Sequence, residues 1–159
     1  MPDKERFDGF CTLLPEAIDK FAAFGEIVRN CSVFDVVSDR HAFLDSVIRR
    51  EKLQSTGIGH GVAIAHGKVP HLESTRIALG ISRDGIFFDD IFPSPVHLVF
   101  LIASCPTKPS EYVKALGALL SWVHDSDLRE ALRNRDESSP RLRAFLEMMM
   151  NQDFHPLSQ

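Results

Sequence analysis

The sequence contains little cysteine, one tryptophan, one tyrosine and no long run of apolar residues. Its three cysteines, Cys11, Cys31 and Cys105, are widely spaced and form no C-x-x-C pair, which argues against a zinc knuckle or a thioredoxin-like motif. No apolar stretch approaches the roughly 20 residues that a membrane-spanning helix requires. The charged residues at the start of the chain are not followed by the apolar segment of a secretory signal. We therefore expect a cytoplasmic protein with idle or buried thiols.

An excess of positive charge is also absent. Lysine and arginine number 18 against 22 aspartate and glutamate residues, which gives a formal net charge of −4. This mildly acidic balance argues against a nucleic-acid-binding module, because such modules carry a basic face. The serine-nucleophile motif G-x-S-x-G is missing as well. A length of 159 residues with 44% hydrophobic residues fits one domain over residues 1–159 and leaves little room for two.

Helical periodicity dominates both ends of the chain. Apolar spacing predicts a helix from Pro15 to about Asn30, and Ser38 is a suitable N-cap for a second helix that ends near Lys52. Further helices are predicted in the last third of the chain, beginning at Ser110, at Asp125 or Ser126, and at Ser139.

Short apolar runs predict the strands of a sheet in the middle of the chain. Asp84-Gly85 is a turn signal, so the segment from Ile77 to Phe88 is predicted to be a hairpin. The near-continuous apolar run from Val96 to Ala103 suggests a central strand buried on both faces. Together these elements predict an α/β fold: a single-domain sandwich with a mixed central β-sheet flanked by helices on both faces.

A glycine-rich segment, Gly57-x-Gly59-x-Gly61, resembles a phosphate-binding fingerprint only superficially. A dinucleotide motif requires G-x-G-x-x-G between a strand and a helix, whereas here a helix precedes the segment and a strand follows it. The lysine and serine or threonine of a P-loop are also missing. The spacing instead indicates a tight turn that needs positive φ, whose amide groups could still point at an anion.

Three of the seven histidines, His60, His66 and His71, lie in or near this segment. Their spacing is not the i, i+4 pair of a helical zinc site. His66 ends a short apolar strand and precedes Gly67-Lys68, which is expected to place its ring at the mouth of the sheet. From these residues alone, a structural and a functional histidine are equally open.

The string from Arg50 to Lys68, R-E-K-L-Q-S-T-G-I-G-H-G-V-A-I-A-H-G-K, closely resembles a known family signature. It is similar to R-E-x-x-x-S/T-T-G-I-G-N-G-x-A-I-P-H of the type 2 (fructose/mannitol-type) enzyme IIA domain of the bacterial phosphoenolpyruvate-dependent phosphotransferase system (PTS). Pro95–Ala103 and Ser110–Arg133 resemble the strand and helical segment that follow in that family. The resemblance covers a core of about residues 11–150 and is most like the stand-alone nitrogen-regulatory enzyme IIA.

This resemblance implies a cytoplasmic phosphotransferase that needs no cofactor and works through a phosphohistidine at His66. The donor it implies is the small carrier protein HPr or its nitrogen-system counterpart NPr. A neutral imidazole suits this role, because its reference pKa of about 6.5 leaves it nucleophilic at pH 7. Arg50 could pair with the phosphoryl oxygens and Thr56 could add a hydroxyl. The alternatives are an arginine that closes its helix and a threonine that stabilises a turn.

The chain departs from the family pattern at three positions. Ala65 replaces the proline before the histidine, which puts the rigidity of the segment in doubt, and His60 replaces an asparagine. Tyr112 occupies the position of a second active-site histidine, and a neutral phenol cannot replace a protonated imidazole. We therefore expect altered phosphohistidine stability or slower transfer.

Several functions remain open at this point. The leading hypothesis is a phosphocarrier whose phosphorylation switches its binding to regulatory target proteins. A degenerate relative that binds partners without phosphotransfer is the first alternative. A sugar-uptake enzyme IIA with separate IIB and IIC proteins is the second, and zinc binding is the last.

Overall fold

The computed structural model describes residues 7–89 and 93–158. The charged start of the chain, on which the prediction about a secretory signal depends, lies outside these residues. Within them the chain forms a five-stranded sheet and five α-helices whose two ends are both described. The strands are β1 (Cys11–Leu13), β2 (Gly57–Gly59), β3 (Val62–Lys68), β4 (Arg76–Ile86) and β5 (Val96–Ser104), and the helices are α1 (Lys20–Asn30), α2 (Arg40–Leu53), α3 (Pro109–Val123), α4 (Ser126–Asn134) and α5 (Pro140–Asn151).

The sheet is mixed, as predicted, with strand order β1-β4-β5-β3-β2. The strand predicted to be central is β5, which pairs parallel with β3 and antiparallel with β4. The predicted hairpin between Ile77 and Phe88 is wrong, because β4 continues through the turn signal to pair Ile86 with Val96. Gly85, with φ of +92°, lies where the register shifts, so the Asp84-Gly85 pair distorts one strand and does not reverse the chain.

Side chains of the sheet alternate between two cores, which confirms helices on both faces. One face of β5 packs with α3, α4 and α5, and the other packs with α1 and α2. The residues that alternate are Leu98, Phe100 and Ile102 on the first face and Val99, Leu101 and Ala103 on the second. Because His66 follows Ile64 by two positions on β3, the same alternation puts it on the face of α3.

Two predicted helix starts shift by a few residues. Helix α1 begins at Asp19, whose side chain accepts a hydrogen bond from Ala22 N, and not near Pro15, because Ala17 has φ of +57°. Helix α2 is capped by Asp39, the residue after the predicted Ser38. The predicted caps Asp125 and Ser139 are confirmed, and each accepts a hydrogen bond from the first turn of its helix.

Helix α2 approaches β3 closely at Gly67, the residue after His66. A Cβ atom there would lie 2.6 Å from Val47 Cγ2 and 3.0 Å from the Phe43 ring. We expect Gly67→Ala to lower the free energy of unfolding by about 1–3 kcal/mol, as overpacking does. Gly117→Ala is the matched control, because nothing lies within 4 Å of its Cβ position and alanine favours the helix. Chemical denaturation of both variants tests this; an equally stable Gly67→Ala protein would contradict it.

Candidate functional site

His66 and Tyr112 meet at the carboxyl edge of two parallel strands. Strands β3 and β5 run in the same direction, with His66 opposite Ile102 in the register. After β5 the chain enters α3, whose first turn carries Tyr112. The Tyr112 hydroxyl lies 3.3 Å from His66 Nδ1, and the ring centroids are 5.1 Å apart. The edge outside the carboxyl ends of strands is the usual ligand site of open α/β sheets.

The surroundings of His66 keep its imidazole neutral near pH 7. Its half-buried ring has a lowered pKa, because burial disfavours the charged form and because Arg50 and Lys68 add positive charge nearby. Burial raises the pKa of Tyr112, and Arg50 opposes this shift. The site therefore combines an uncharged nucleophilic ring, an uncharged hydroxyl and two cations.

Arg50 lies in the last turn of α2, where its Nη1 donates a hydrogen bond of 2.9 Å to the Gln54 carbonyl oxygen. This contact satisfies a carbonyl at the end of the helix, as the helix-closing alternative requires. The same guanidinium acts electrostatically on both His66 and Tyr112. One side chain thus closes the helix and supplies positive charge to the site.

Thr56 is buried, and both of its donors point to Glu51. Its amide lies 3.1 Å and 3.2 Å from the two Glu51 carboxylate oxygens, and its hydroxyl donates to Oε1. This arrangement matches the turn-stabilising alternative, because a hydroxyl that donates to Glu51 does not donate to a phosphoryl group at the same time.

The glycine-rich segment forms a hairpin that contains the predicted tight turn. Gly57 and Gly59 belong to β2 and pair with β3. The residues Gly59, His60 and Gly61 have φ of +89°, +57° and +76°, which confirms the predicted positive φ. His60-Gly61 is the turn of this hairpin, where φ is positive at both central residues as in a type I′ turn.

Ala65 lies in the middle of β3, is buried and pairs with Leu101 of β5. The absence of proline at this position put the rigidity of the segment in doubt. The parallel pairing from Val62 to Lys68 answers this doubt, since ladder hydrogen bonds fix the backbone on the strand that carries His66.

Sequence reasoning missed two residues next to the site. Glu51 is part of the R-E pair but received no role, and it is buried with 3% exposure. Its partner is Lys20, whose Nζ lies 2.9 Å from Oε2. Glu51 lies four residues after the apolar Val47, on the same face of α2. Helical spacing could therefore have predicted that Glu51 is buried. Nothing in the sequence pairs it with Lys20, 31 positions away.

An apolar groove lies between the C-terminal half of α3 and the β2–β3 hairpin, at the start of β3. Ile58, Gly117 and Leu120 line it, and its volume is about 620 Å³. On the outer surface of α3, one residue beyond Tyr112, Val113 is 65% exposed.

Two other features bear on the remaining hypotheses. Among residues 7–89 and 93–158, no group of three or more histidine, cysteine, aspartate or glutamate side chains could hold a metal ion. The same residues include no helix that is both long and apolar enough to cross a membrane. His97 of β5 is half-buried, with Nδ1 2.9 Å from the Ser82 carbonyl oxygen.

The fold and the ordered signature define an enzyme IIA domain. The family model described as "Phosphoenolpyruvate-dependent sugar phosphotransferase system, EIIA 2" matches residues 9–147. The chain therefore belongs to the type 2 enzyme IIA family of this phosphotransferase system, as its sequence predicted.

Relatives include both transport and regulatory proteins. The chain is 32% identical over 117 residues to the fructose-specific EIIABC component of Bacillus subtilis, which covers 74% of this chain and 18% of that protein. It is 32% identical over 126 residues to a nitrogen regulatory protein of Bradyrhizobium diazoefficiens, which covers 75% of this chain and 82% of the relative. Among solved structures, the nitrogen regulatory protein IIA-Ntr of Neisseria meningitidis is 26% identical, with a TM-score of 0.72 over 87% of this chain and 92% of that one.

Proposed function

We propose that this protein is a phosphocarrier that accepts a phosphoryl group on His66 from HPr or NPr and acts as a phosphorylation-dependent regulator. The observation that carries the proposal is the place of His66, at the position of the signature histidine and 3.3 Å from the Tyr112 hydroxyl. Burial and the charge of Arg50 lower the pKa of this ring. Intact mass after incubation with phosphoenolpyruvate, enzyme I and the carrier tests it, and a gain of one phosphoryl group is expected.

The transfer is a balanced exchange between two imidazoles. A ring nitrogen of His66 attacks the phosphorus of the donor phosphohistidine, and the old P–N bond breaks as its electron pair returns to the donor ring. Tyr112 Oη already lies 3.3 Å from Nδ1. We therefore assign Nε2 as the accepting nitrogen, in the tautomer whose Nδ1–H donates to the Tyr112 oxygen.

The roles of the neighbouring residues follow from their chemistry. Arg50 is the candidate phosphoryl ligand, because a guanidinium can donate two hydrogen bonds to phosphoryl oxygens when it leaves the Gln54 carbonyl. Thr56 shapes the turn through Glu51 and acts on the phosphoryl group only indirectly.

The surface beside His66 suits a docked carrier protein. Val113, the residue after Tyr112, and Leu120, one heptad further along α3, are exposed apolar residues, at 65% and 40% respectively. A phosphoryl donor must bring its own ring into line with His66, and an apolar face on α3 gives it a surface to pack against.

The regulatory output rests on relatives that are named nitrogen regulatory proteins and that this chain covers over most of their length. The second candidate is a partner-binding protein without phosphotransfer, which Tyr112 at the second-histidine position favours. Phosphorylation of the protein by the carrier distinguishes the phosphocarrier from this binding protein. A sugar-uptake role with separate IIB and IIC proteins requires the same phosphotransfer chemistry. It is therefore a form of the first candidate, and the similarity to a fructose-specific PTS component supports it.

The pH dependence of phosphate acceptance should reflect the lowered pKa of His66. Only the neutral ring is a nucleophile, so the rate falls as the pH drops through this pKa, which lies below the reference value of 6.5. We expect the midpoint of this fall at a lower pH than that of an unperturbed imidazole, whose reference pKa is about 6.5. Lys68→Met should move the midpoint to higher pH, because it removes a positive charge that disfavours the imidazolium. An unchanged midpoint in rapid-quench measurements would contradict this.

Tyr112→Phe removes the hydroxyl and keeps the ring. We expect phosphate acceptance to slow by about fivefold, the effect of one hydrogen bond with a net value of about 1 kcal/mol. In the unphosphorylated variant, the His66 ring should populate both tautomers, and ¹⁵N spectra of His66 measure their ratio. An unchanged rate and tautomer ratio would mean that Tyr112 only packs against the ring.

A further inference from the structure

Lys20 joins three parts of the chain: α1, the end of α2 and the segment after β4. Its ammonium lies 2.9 Å from Glu51 Oε2 at the end of α2 and 2.8 Å from the Phe88 carbonyl oxygen after β4. It also stacks over the Phe21 and Phe88 rings, at 5.4 Å and 5.6 Å from their centroids. The Lys20 side chain is 18% exposed and that of Glu51 is fully buried. A buried pair of this kind is held strongly and is weakly screened by salt.

Glu51, which Lys20 holds in place, also binds the turn that follows α2. Its two oxygens accept the Thr56 amide, and Oε1 also accepts the Thr56 hydroxyl. The Thr56 carbonyl in turn accepts the amide of Ile64 on β3, at 3.0 Å. The carboxylate therefore fixes the turn against the strand that carries His66.

The same turn holds Arg50. The guanidinium donates to the carbonyl of Gln54, two residues before Thr56, and the Gln54 amide returns a hydrogen bond to the Arg50 carbonyl. A turn that moved would carry this carbonyl with it and release the guanidinium.

We propose that Lys20 is a positioning residue for the His66 site: through Glu51 it fixes the turn at residues 54–56, and this turn sets the place of the Arg50 guanidinium. Lys20 does not touch the reacting atoms in this account. This proposal rests on the phosphocarrier function for one consequence, the rate of phosphate acceptance. Its other consequence, a change in the pKa of His66, does not depend on phosphate transfer.

The electrostatic consequence is measured as the pKa of His66 by NMR titration. Arg50 and Lys68 act on the charge of the ring, and the Tyr112 hydroxyl lies 3.3 Å from its Nδ1. If Lys20→Met releases Arg50, the pKa of His66 rises, because one nearby positive charge moves away. Phosphate acceptance, measured per folded molecule, should slow by about tenfold to a hundredfold, as misplacement of a transition-state ligand does.

Lys52→Met is the matched control. Lys52 also lies over the Phe21 ring, with Nζ 5.9 Å from its centroid, but no ion pair with Glu51 is formed by it among the described residues. This variant should leave both the His66 pKa and the transfer rate unchanged. Lys20→Arg, which keeps the charge, should recover part of the transfer rate.

Loss of Lys20 leaves a buried carboxylate unpaired, so Lys20→Met could fail to fold. The double variant Lys20→Met, Glu51→Gln removes that charge, and a neutral amide holds the Thr56 donors less strongly than a carboxylate does. It should raise the His66 pKa in the same direction. A variant that loses thermal stability but keeps the wild-type His66 pKa and rate would overturn the proposal. If the wild type accepts no phosphate, the proposed function fails, while the pKa comparison still decides the role of Lys20.

Discussion

His66→Ala should abolish phosphate incorporation. With phosphoenolpyruvate, enzyme I and the carrier present, intact mass should show one added phosphoryl group on the wild type and none on the variant. The reason is chemical, because alanine has no nitrogen that can form the P–N bond. The fold should survive, because His66 is half-buried at the mouth of the sheet and not at its centre.

His41→Ala is the control for this experiment. His41 lies on the outer face of α2, where its side chain is 88% exposed. Its removal should leave phosphate incorporation at the wild-type level. Persistent labelling of His66→Ala would place the phosphoryl group elsewhere and refute the assignment.

Arg50→Ala should give the second-largest effect. We expect phosphate acceptance to slow by about a hundredfold, the usual result of removing one charged donor that stabilises a transition state. The pKa of His66 should rise towards its ordinary value at the same time, because Arg50 is one of the causes that lower it. Stopped-flow or rapid-quench transfer and NMR titration measure the two effects on the same protein.

The neighbouring Arg49 provides the control for that variant. It is exposed on α2 and is not among the groups that shift the pKa of His66 or of Tyr112. Arg49→Ala should therefore leave the rate and the pKa unchanged. If Arg50→Ala lost only stability, and transferred phosphate normally per folded molecule, Arg50 would serve the helix end alone.

Much of the fold was predictable because the apolar pattern reports burial directly. The run from Val96 to Ala103 is buried on both faces, and its continuous hydrophobicity predicted the central strand. Asp125 and Ser139 cap helices, as short polar residues before an apolar repeat do. The error at Asp84-Gly85 has a physical cause. A positive φ at Gly85 serves a distorted strand as well as a turn, so local chemistry could not separate the two.

The site was predictable in part. The ordered signature marked His66 and Arg50, and the family resemblance marked Tyr112, whose hydroxyl lies 3.3 Å from His66 Nδ1. The contact between Glu51 and Lys20 was not predictable, because a contact across 31 positions depends on how α1 and α2 pack. For the Thr56 hydroxyl the resemblance left a phosphoryl role and a turn-stabilising role open, and the hydroxyl donates to a carboxylate from the preceding helix.

The most direct test of the account is a ³¹P–¹⁵N NMR experiment on protein with labelled histidines, phosphorylated through phosphoenolpyruvate, enzyme I and the carrier. The account predicts coupling between phosphorus and one histidine nitrogen only, Nε2 of His66, and its loss when unphosphorylated carrier is added back. Coupling at another histidine, or no phosphorylation by a carrier that is competent towards a known enzyme IIA, would contradict the account.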